Sequence, residues 1–467
     1  VPGWGFFVTK QLVIAGFCLL LGGCTLLESV SELAPGDVPA NWSQPVVSSE
    51  KAWPERDWWT GFASGELDAL VESAQRENLD IIIAKARVEQ ADALARLAGS
   101  SLLPSISARL GAREDGAIHS PSSTPVQTLS ASASVAYELD FWGRNFESAR
   151  AAWRSLEASS FDRETVALTT VSSVANTYFR LLSLRDRLRL SRLNVANASK
   201  ILDLTRKQLD AGTISRLPVA QQESLLASLN AQAASLELQE RQALGSLAVL
   251  LGKPVQDFAI TGQSLDGISA PVVAAGLTSE LLARRPDVKS VEASLSAAQA
   301  DLAAARAAYL PTISLTGDAG VTSTALAGLI SGSNGAYSIG ASLIQAVFRG
   351  GSLIASNDRA YYRREELLAA YRKAALNAFA DADAALTGAV TSVLQEQQQS
   401  VAAASAAEAL RIAEAQYKAG SVDFLTVLSA QQSLYSAQDQ LAQVRLARLQ
   451  AVVGLFRALG GGWQAPT

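Results

Sequence analysis

This chain has little of what enzymes are built from. Among 467 residues there is one histidine, His119, and two cysteines, Cys18 and Cys24; methionine is absent, for which the sequence offers no physical reason. His119 lies in a Ser/Pro/Thr-rich stretch with no second histidine or thiol in company, so it reads as a solvated loop residue rather than a base or ligand. Ser48 and Lys51 have the spacing of an acyl-enzyme pair, but they sit in an extended leader without the companion motifs. No glycine-rich phosphate loop opens a helix and no nucleophile elbow is present. The net charge of −5 comes without a clustered basic face, which argues against a nucleic-acid partner. Catalysis, cofactor and metal are therefore not expected.

Helix breakers are missing over two long stretches. Residues 144–211 contain no glycine and no proline, and residues 352–419 contain only Gly388. At 1.5 Å per residue, such a helix spans about 100 Å. Charges such as Arg185, Asp186, Arg187 and Arg189 in one run, and Arg363, Arg364, Glu365 and Glu366 in the other, exclude a membrane helix. These clusters are expected on solvated faces or in ion pairs between helices. The helices must pack on other helices, and a seven-residue apolar repeat supplies the means. Leu428, Tyr435, Ala442, Leu449 and Phe456 form one such series, and Leu229, Leu236, Ala243 and Leu250 the other.

The two stretches are one unit written twice, about 207 residues apart. Asn78-Leu79-Asp80 answers to Arg285-Pro286-Asp287, Leu103-Pro104-Ser105 to Leu310-Pro311-Thr312, and Ala211-Gly212-Thr213 to Ala419-Gly420-Ser421. Each unit reads helix, two alternating strands, long helix, returning helix. Strands are expected near 105–113 and 129–140, then near 312–322 and 337–345, with apolar residues on one face and hydroxyls or charges on the other. A soluble sheet on helices is the plain alternative. Small apolar side chains and a polar face with no partner element instead favour strands crossing a bilayer. Four strands cannot close a barrel, and an open edge in lipid leaves backbone groups unsatisfied, so other copies must complete it.

At the N-terminus, Lys10 precedes an apolar run from Leu12 to Leu21, too short to span a bilayer, which ends in Leu21-Gly22-Gly23-Cys24. Residues 1–23 are expected to be a signal peptide. The ending resembles a bacterial lipobox, which implies lipidation of Cys24, and Thr25 in place of an aspartate implies sorting to the outer membrane. The expected organisation is then a lipidated extended segment at 24–65, a first repeat at 66–265 and a second at 266–463. After removal of Cys18 and lipidation of Cys24, no disulfide remains to stabilise the chain.

Further motifs carry a resemblance over nearly the whole chain. They are Pro39-Ala40-Asn41-Trp42, Trp58-Trp59 with Leu67 and Leu70, Leu282-Ala283-Arg284-Arg285-Pro286-Asp287-Val288, Ala305 to Pro311 and Leu425 to Gln431. The chain resembles the outer-membrane factor family, TolC-type efflux ducts, and within it the lipoprotein NodT-like branch. The resemblance implies a mostly α fold with a small β part, assembled as a homotrimeric α-helical barrel topped by a twelve-stranded transmembrane β-barrel. It implies a bacterial outer-membrane duct, extending into the periplasm, that passively passes small molecules from a periplasmic adaptor and an inner-membrane proton-driven pump. A duct for ATP-driven type I protein secretion is the alternative; a purely structural coiled-coil lipoprotein is a more distant one. The turns at Gly212 and Gly420 are then the periplasmic tips and the closed entrance. Where relatives place acidic or basic residues after the second tip, this chain has Thr426, Ser429 and Val422. Tyr417 and Asp423 are left as candidate gate residues.

Overall fold

The computed structural model describes residues 39, 41–43, 53–116, 125–273, 276, 278–330 and 334–464. The chain divides into two units, residues 1–40 and 41–467. Of the first only Pro39 is described, and everything below concerns the second. Cys24, Ser48, Lys51 and His119 lie outside the described residues.

The first repeat runs α1 (Gly65–Glu77), α2 (Leu79–Ser100), β1 (Ser105–Asp115), β2 (Val126–Leu139), α3 (Arg144–Asp210) and α4 (Arg216–Leu250). The second runs α5 (Leu281–Arg284), α6 (Pro286–Ala307), β3 (Thr312–Ser323), α7 (Leu326–Ile330), β4 (Gly335–Ile344), α8 (Ser352–Lys418) and α9 (Phe424–Ala458). The long helices α3 and α8 have 67 residues each. Each stops one residue before the expected end, because Ala211 and Ala419 are the capping residues of the turn. β1 and β2 extend beyond the alternating pattern because Arg113, Glu114 and Asp115 pair in register with Thr128, Gln127 and Val126. Backbone pairing sets a strand's end, whereas side-chain alternation marks only its half-buried part.

The four strands form one antiparallel sheet in the order β1-β2-β3-β4. β2 and β3 pair although α3, α4, α5 and α6 lie between them in sequence, so the sheet joins the two repeats. The Trp142 indole N–H fixes the base of this junction by donating to the Pro311 carbonyl at 2.8 Å. The helices pack in sequence neighbourhoods and across the repeat: α2 on α3, α3 on α6, α6 on α8, with α4 returning along α3 and α9 along α8 and α3.

The principal core sits at the middle of α3, far from either end. Trp58, Phe62, Leu67, Phe179, Leu182, Leu247 and Phe456 are all buried there. Trp58 stacks on Phe456 at 4.8 Å between ring centroids, and Phe62 meets Phe179 at 4.9 Å. Large rings contribute most to burial, and they collect where four helices and the leader meet. Towards the tips the core thins to Ala198, Leu229 and Tyr435.

The heptad series in α9 is buried throughout, from Leu428 to Phe456. In α4 the series holds for Leu229, Leu236 and Ala243, after which Leu247 and Leu251 are buried and Leu250 is only partly so. A straight helix of 3.6 residues per turn drifts from a seven-residue repeat, and the drift moves the buried stripe at the end of α4. Both charge clusters resolve into ion pairs. Arg185 reaches Glu240 of α4 at 2.9 Å and Arg187 holds Asp439 of α9 at 2.7 Å, whereas Arg363 and Arg364 pair with Glu366 and Glu365 on their own helix.

Candidate functional site

The sheet separates two chemistries. Ile106, Ala108, Leu110 and Ala112 stand opposite Val135, Ala133, Ala131 and Leu129, which in turn stand opposite Gly317, Ala319, Val321 and Ser323. Ile339 and Leu343 complete the same face opposite Gly317 and Ile313. This apolar face is bare: Leu110 and Ile339 are each 85 % exposed. The reverse face pairs Ser107 with Ser134, Arg109 with Ser132, Ser134 with Asp318 and Asp318 with Ser338. The Ser107 and Ser134 hydroxyls lie 2.7 Å apart. β1 and β4 each keep one unpaired edge. One oily face, one hydroxylated face and two free edges are the pattern of strands that cross a bilayer, apolar side out and polar side in. Among the described residues no helix is long and apolar enough to cross a membrane.

At the far ends of α3 and α8 the chain reverses at Gly212 and Gly420, with φ of 70° and 75°. A side chain at either would meet nothing within 4 Å, so the left-handed backbone, not crowding, calls for glycine there. The turns are built alike. The Thr213 N–H returns to the Gln208 carbonyl and the Ser421 N–H to the Gln416 carbonyl, each at 2.9 Å, with both hydroxyls donating to the same acceptors. These are Schellman closures.

Around the second turn the structure brings Tyr417 and Asp423 near one another but gives them different work. The Tyr417 hydroxyl donates to the Gln208 side-chain oxygen at 3.1 Å, tying the end of α8 to the end of α3. Its ring meets Phe424 edge-on at 5.8 Å. Asp423 caps α9, accepting from the Thr426 N–H at 3.0 Å and the Thr426 hydroxyl at 2.7 Å. Those bonds from Thr426 hold its carboxyl below the usual range. Its counterpart Ser215 makes no such side-chain cap on α4. Gln208 and Thr426 escaped sequence reasoning as partners. The repeat carries a signal for Gln208, whose counterpart Gln416 occupies the same turn.

The link between the repeats also has a chemical anchor. Arg285 is 9 % exposed; its guanidinium holds Asp287 at 2.6 and 3.0 Å, reaches Asp381 at 3.3 Å, and donates to the Ala378 and Ala458 carbonyls at 3.4 Å. Burial pushes the Asp287 carboxyl up, but its two bonds to Arg285 outweigh this and leave it below the ordinary aspartate range. Glu66 is pushed up by burial and brought down further by the N–H and hydroxyl of Thr261, the Gly262 N–H and the Tyr178 hydroxyl. Burial raises Tyr178 to about 12. The Glu66 cluster fixes α1 to the loop at Thr261 and Gly262, and the Arg285 cluster ties the start of α6 to α8 and α9 beside a cavity shared with Thr165 and Leu168 of α3. Among the described residues no His, Cys, Asp or Glu cluster is arranged to hold a metal.

The geometry agrees with known proteins. The sequence profile of a family described as "Outer membrane efflux protein" matches twice, at residues 70–253 and 277–461, once for each repeat. The chain is 42 % identical to the pyoverdine export outer membrane protein OpmQ of Pseudomonas aeruginosa, over 98 % of each chain. It is 30 % identical to the probable efflux pump outer membrane protein TtgC of Pseudomonas putida, over 98 % of this chain and 97 % of that one. Among solved structures it is similar to the outer-membrane channel OprN, with a TM-score of 0.84 at 26 % identity over 91 % of this chain and 98 % of that one. The open-state MtrE outer membrane channel of Neisseria gonorrhoeae gives 0.83 at 28 % identity, over 91 % and 96 %. With both repeats matched, a four-stranded sheet apolar on one face and long helices ending in paired glycine turns, the chain belongs to the outer membrane efflux protein family.

Proposed function

We propose that this protein is the passive outer-membrane exit duct of a tripartite efflux system, acting as a homotrimer whose three sheets close into one twelve-stranded barrel. The observation that carries the reading is the four-stranded sheet, apolar and bare on one face, hydroxylated on the other, with both edges unpaired. Satisfying those edges in lipid takes further copies of the same sheet, because each unpaired backbone group there costs several kcal/mol. The α3 and α8 helices, about 100 Å long, then form the tunnel that descends from the barrel. Their tips at Gly212 and Gly420 meet a periplasmic adaptor, which couples the duct to an inner-membrane pump, and Tyr417 and Asp423 help to hold the entrance closed. Cys24 carries the lipid that adds a second anchor.

For the cargo we put small molecules first, of the kind exported through OpmQ, since full-length similarity to that pyoverdine export protein exceeds that to the TtgC efflux protein. A strain lacking its own duct but keeping a periplasmic adaptor and an inner-membrane pump tests the proposal. Expression should move the exported small molecule from periplasm to medium, measured by mass spectrometry of both fractions. Restored secretion of a protein substrate with no small-molecule efflux would replace this reading with type I secretion. A detergent-purified species that is monomeric by native mass would remove the barrel. Fatty acid still attached to the Cys24→Ser protein would remove the lipid assignment without touching the duct.

A further inference from the structure

Below the sheet, α3 carries a groove for which conduction has no use. Leu102, two residues past the end of α2, and Phe146 and Trp153 of α3 form its apolar wall; Arg150, Arg154 and Glu157 supply charge. Phe146 and Trp153 remain 55 % and 49 % exposed despite their size.

Two observations turn this groove towards lipid. Arg144, the first residue of α3, donates to both oxygens of Glu138, at 2.7 and 2.9 Å, and Glu138 belongs to the polar face of β2, opposite Ser314. At about 100° per residue, Phe146 lies about 200° round the helix from Arg144, and Arg150 and Trp153 follow it at helical spacing. The groove therefore looks the same way as the apolar face of the sheet. Between the sheet and the groove in sequence stand Phe141 and Trp142, exposed and packed edge-on at 4.9 Å just after the last residue of β2. Aromatic side chains gather where a barrel meets the headgroups.

The charges lie at the depth and in the order of a headgroup. Arg150 and Arg154 are about 9 and 15 Å along the axis from Arg144. Side chains on a helix lean towards its N-terminus, which for α3 is the membrane end, and Arg150 follows this lean by pairing with Glu147, while Arg154 pairs with Glu157 less than one turn below. Arg150 pairs with Glu147 at 3.0 Å and Arg154 with Glu157 at 2.7 Å. Such half-exposed pairs are weak, and a guanidinium with five donors is not exhausted by one contact. Two cations followed by a carboxylate less than one turn away match a phosphate with an ammonium beside it. The second repeat lacks this pattern: 208 residues on, Asp358 and Tyr362 replace Arg150 and Arg154.

We infer that the groove binds the headgroup of an ethanolamine glycerophospholipid of the periplasmic leaflet, phosphate on Arg150 and Arg154, ammonium on Glu157, one acyl chain along Leu102, Phe146 and Trp153. The site rests on the barrel reading of the sheet and adds one lipid per chain to it. Native mass spectrometry of the purified full-length trimer, titrated separately with phosphatidylethanolamine, phosphatidylcholine and phosphatidylglycerol, tests it. One phosphatidylethanolamine per chain should persist, about tenfold tighter than either other lipid. Arg150→Gln with Arg154→Gln should weaken it by about tenfold or more, whereas Arg150→Lys with Arg154→Lys, which keeps the charge, should retain it. Glu157→Gln should bring phosphatidylethanolamine down to the level of phosphatidylcholine, and Asp358→Asn should change nothing. An intact trimer that retains no lipid, prefers phosphatidylglycerol, or binds equally well without Arg150 and Arg154 overturns the site alone. A chain that forms no trimer in the outer membrane overturns the barrel and the site together.

Discussion

The two repeats start their first helices with the same task and different chemistry. Asn78 caps α2, accepting from the Asp80 and Ile81 N–H groups, and donates to the Leu250 carbonyl at the end of α4. Arg285 stands at the matching place before α6 and donates to the Ala458 carbonyl at the end of α9. Each residue thus ties the start of its repeat to the end of the returning helix. Asn78 does so with a neutral amide. Arg285 does so with a buried cation that requires Asp287 and Asp381 to balance it. The tips show the same divergence, with a plain Ser215 after Gly212 and the Asp423 cap with Tyr417 around Gly420. Duplication has kept what the backbone requires and let the side-chain chemistry of equivalent joints drift apart.

The largest expected effect separates the two joints. Arg285→Ala leaves charge and carbonyls without a partner at the start of α6 and should cost about 3 kcal/mol, against about 1 kcal/mol for Asn78→Ala. Denaturant unfolding of the detergent-solubilised protein measures both, and equal losses would erase the asymmetry. Acid should sharpen it. The folded Asp287 carboxyl binds its proton less readily than the unfolded one, so its contribution is complete above the ordinary aspartate value and lost as pH falls through the depressed folded value. As pH falls through that depressed folded value, the gap between the wild type and Asp287→Asn should therefore close.

The tips come next. Tyr417→Ala with Asp423→Ala removes the Gln208 tie and the α9 cap and should raise single-channel conductance in planar bilayers while trimers persist. An unchanged conductance would place the constriction elsewhere. The backbone at the tips should instead behave alike in both repeats. Gly212→Ala and Gly420→Ala should each cost about 1–2 kcal/mol, the strain of a left-handed residue with a Cβ. A large difference between them would mean that the two turns are not equivalent after all.

The smallest effect concerns two fully buried glutamines. Gln222 donates to the Ala198 carbonyl at 3.0 Å, whereas neither polar atom of the Gln431 side chain has a protein partner. Gln431→Leu should therefore raise the thermal midpoint, by up to about 1 kcal/mol of stability, and Gln222→Leu should not. A loss of stability at Gln431 would show that its amide is used in the assembled trimer.

Much of this fold is legible in one sequence because its signals are local and repeated. The absence of glycine and proline over residues 144–211 is a helix statement that needs no tertiary information. The alternation from Ser105 to Arg113 is a strand statement of the same kind, and Gly212 and Gly420 mark reversals because few other residues accept a positive φ. Duplication doubles each signal, so that a weak motif in one half is supported by its echo in the other. The candidate gate was legible only in part. Tyr417 and Asp423 stand out beside a glycine, but nothing local says that one reaches Gln208, 209 residues away, or that the other spends its carboxylate on Thr426.

What the sequence determined by itself is thus the inventory: four strands with one oily face, two long helices, two returning helices and two sharp turns. What only tertiary structure decided is which elements meet. The pairing of β2 with β3 across 172 intervening residues, the collection of Trp58, Phe62, Phe179 and Phe456 into one core, and the closure of Arg285 on Asp287, Asp381 and the Ala458 carbonyl all join distant segments. Periodicity and caps arise from forces between residues a few positions apart, so they are written in order along the chain. Contacts between distant segments are selected by packing and charge balance among surfaces that exist only once those elements have formed.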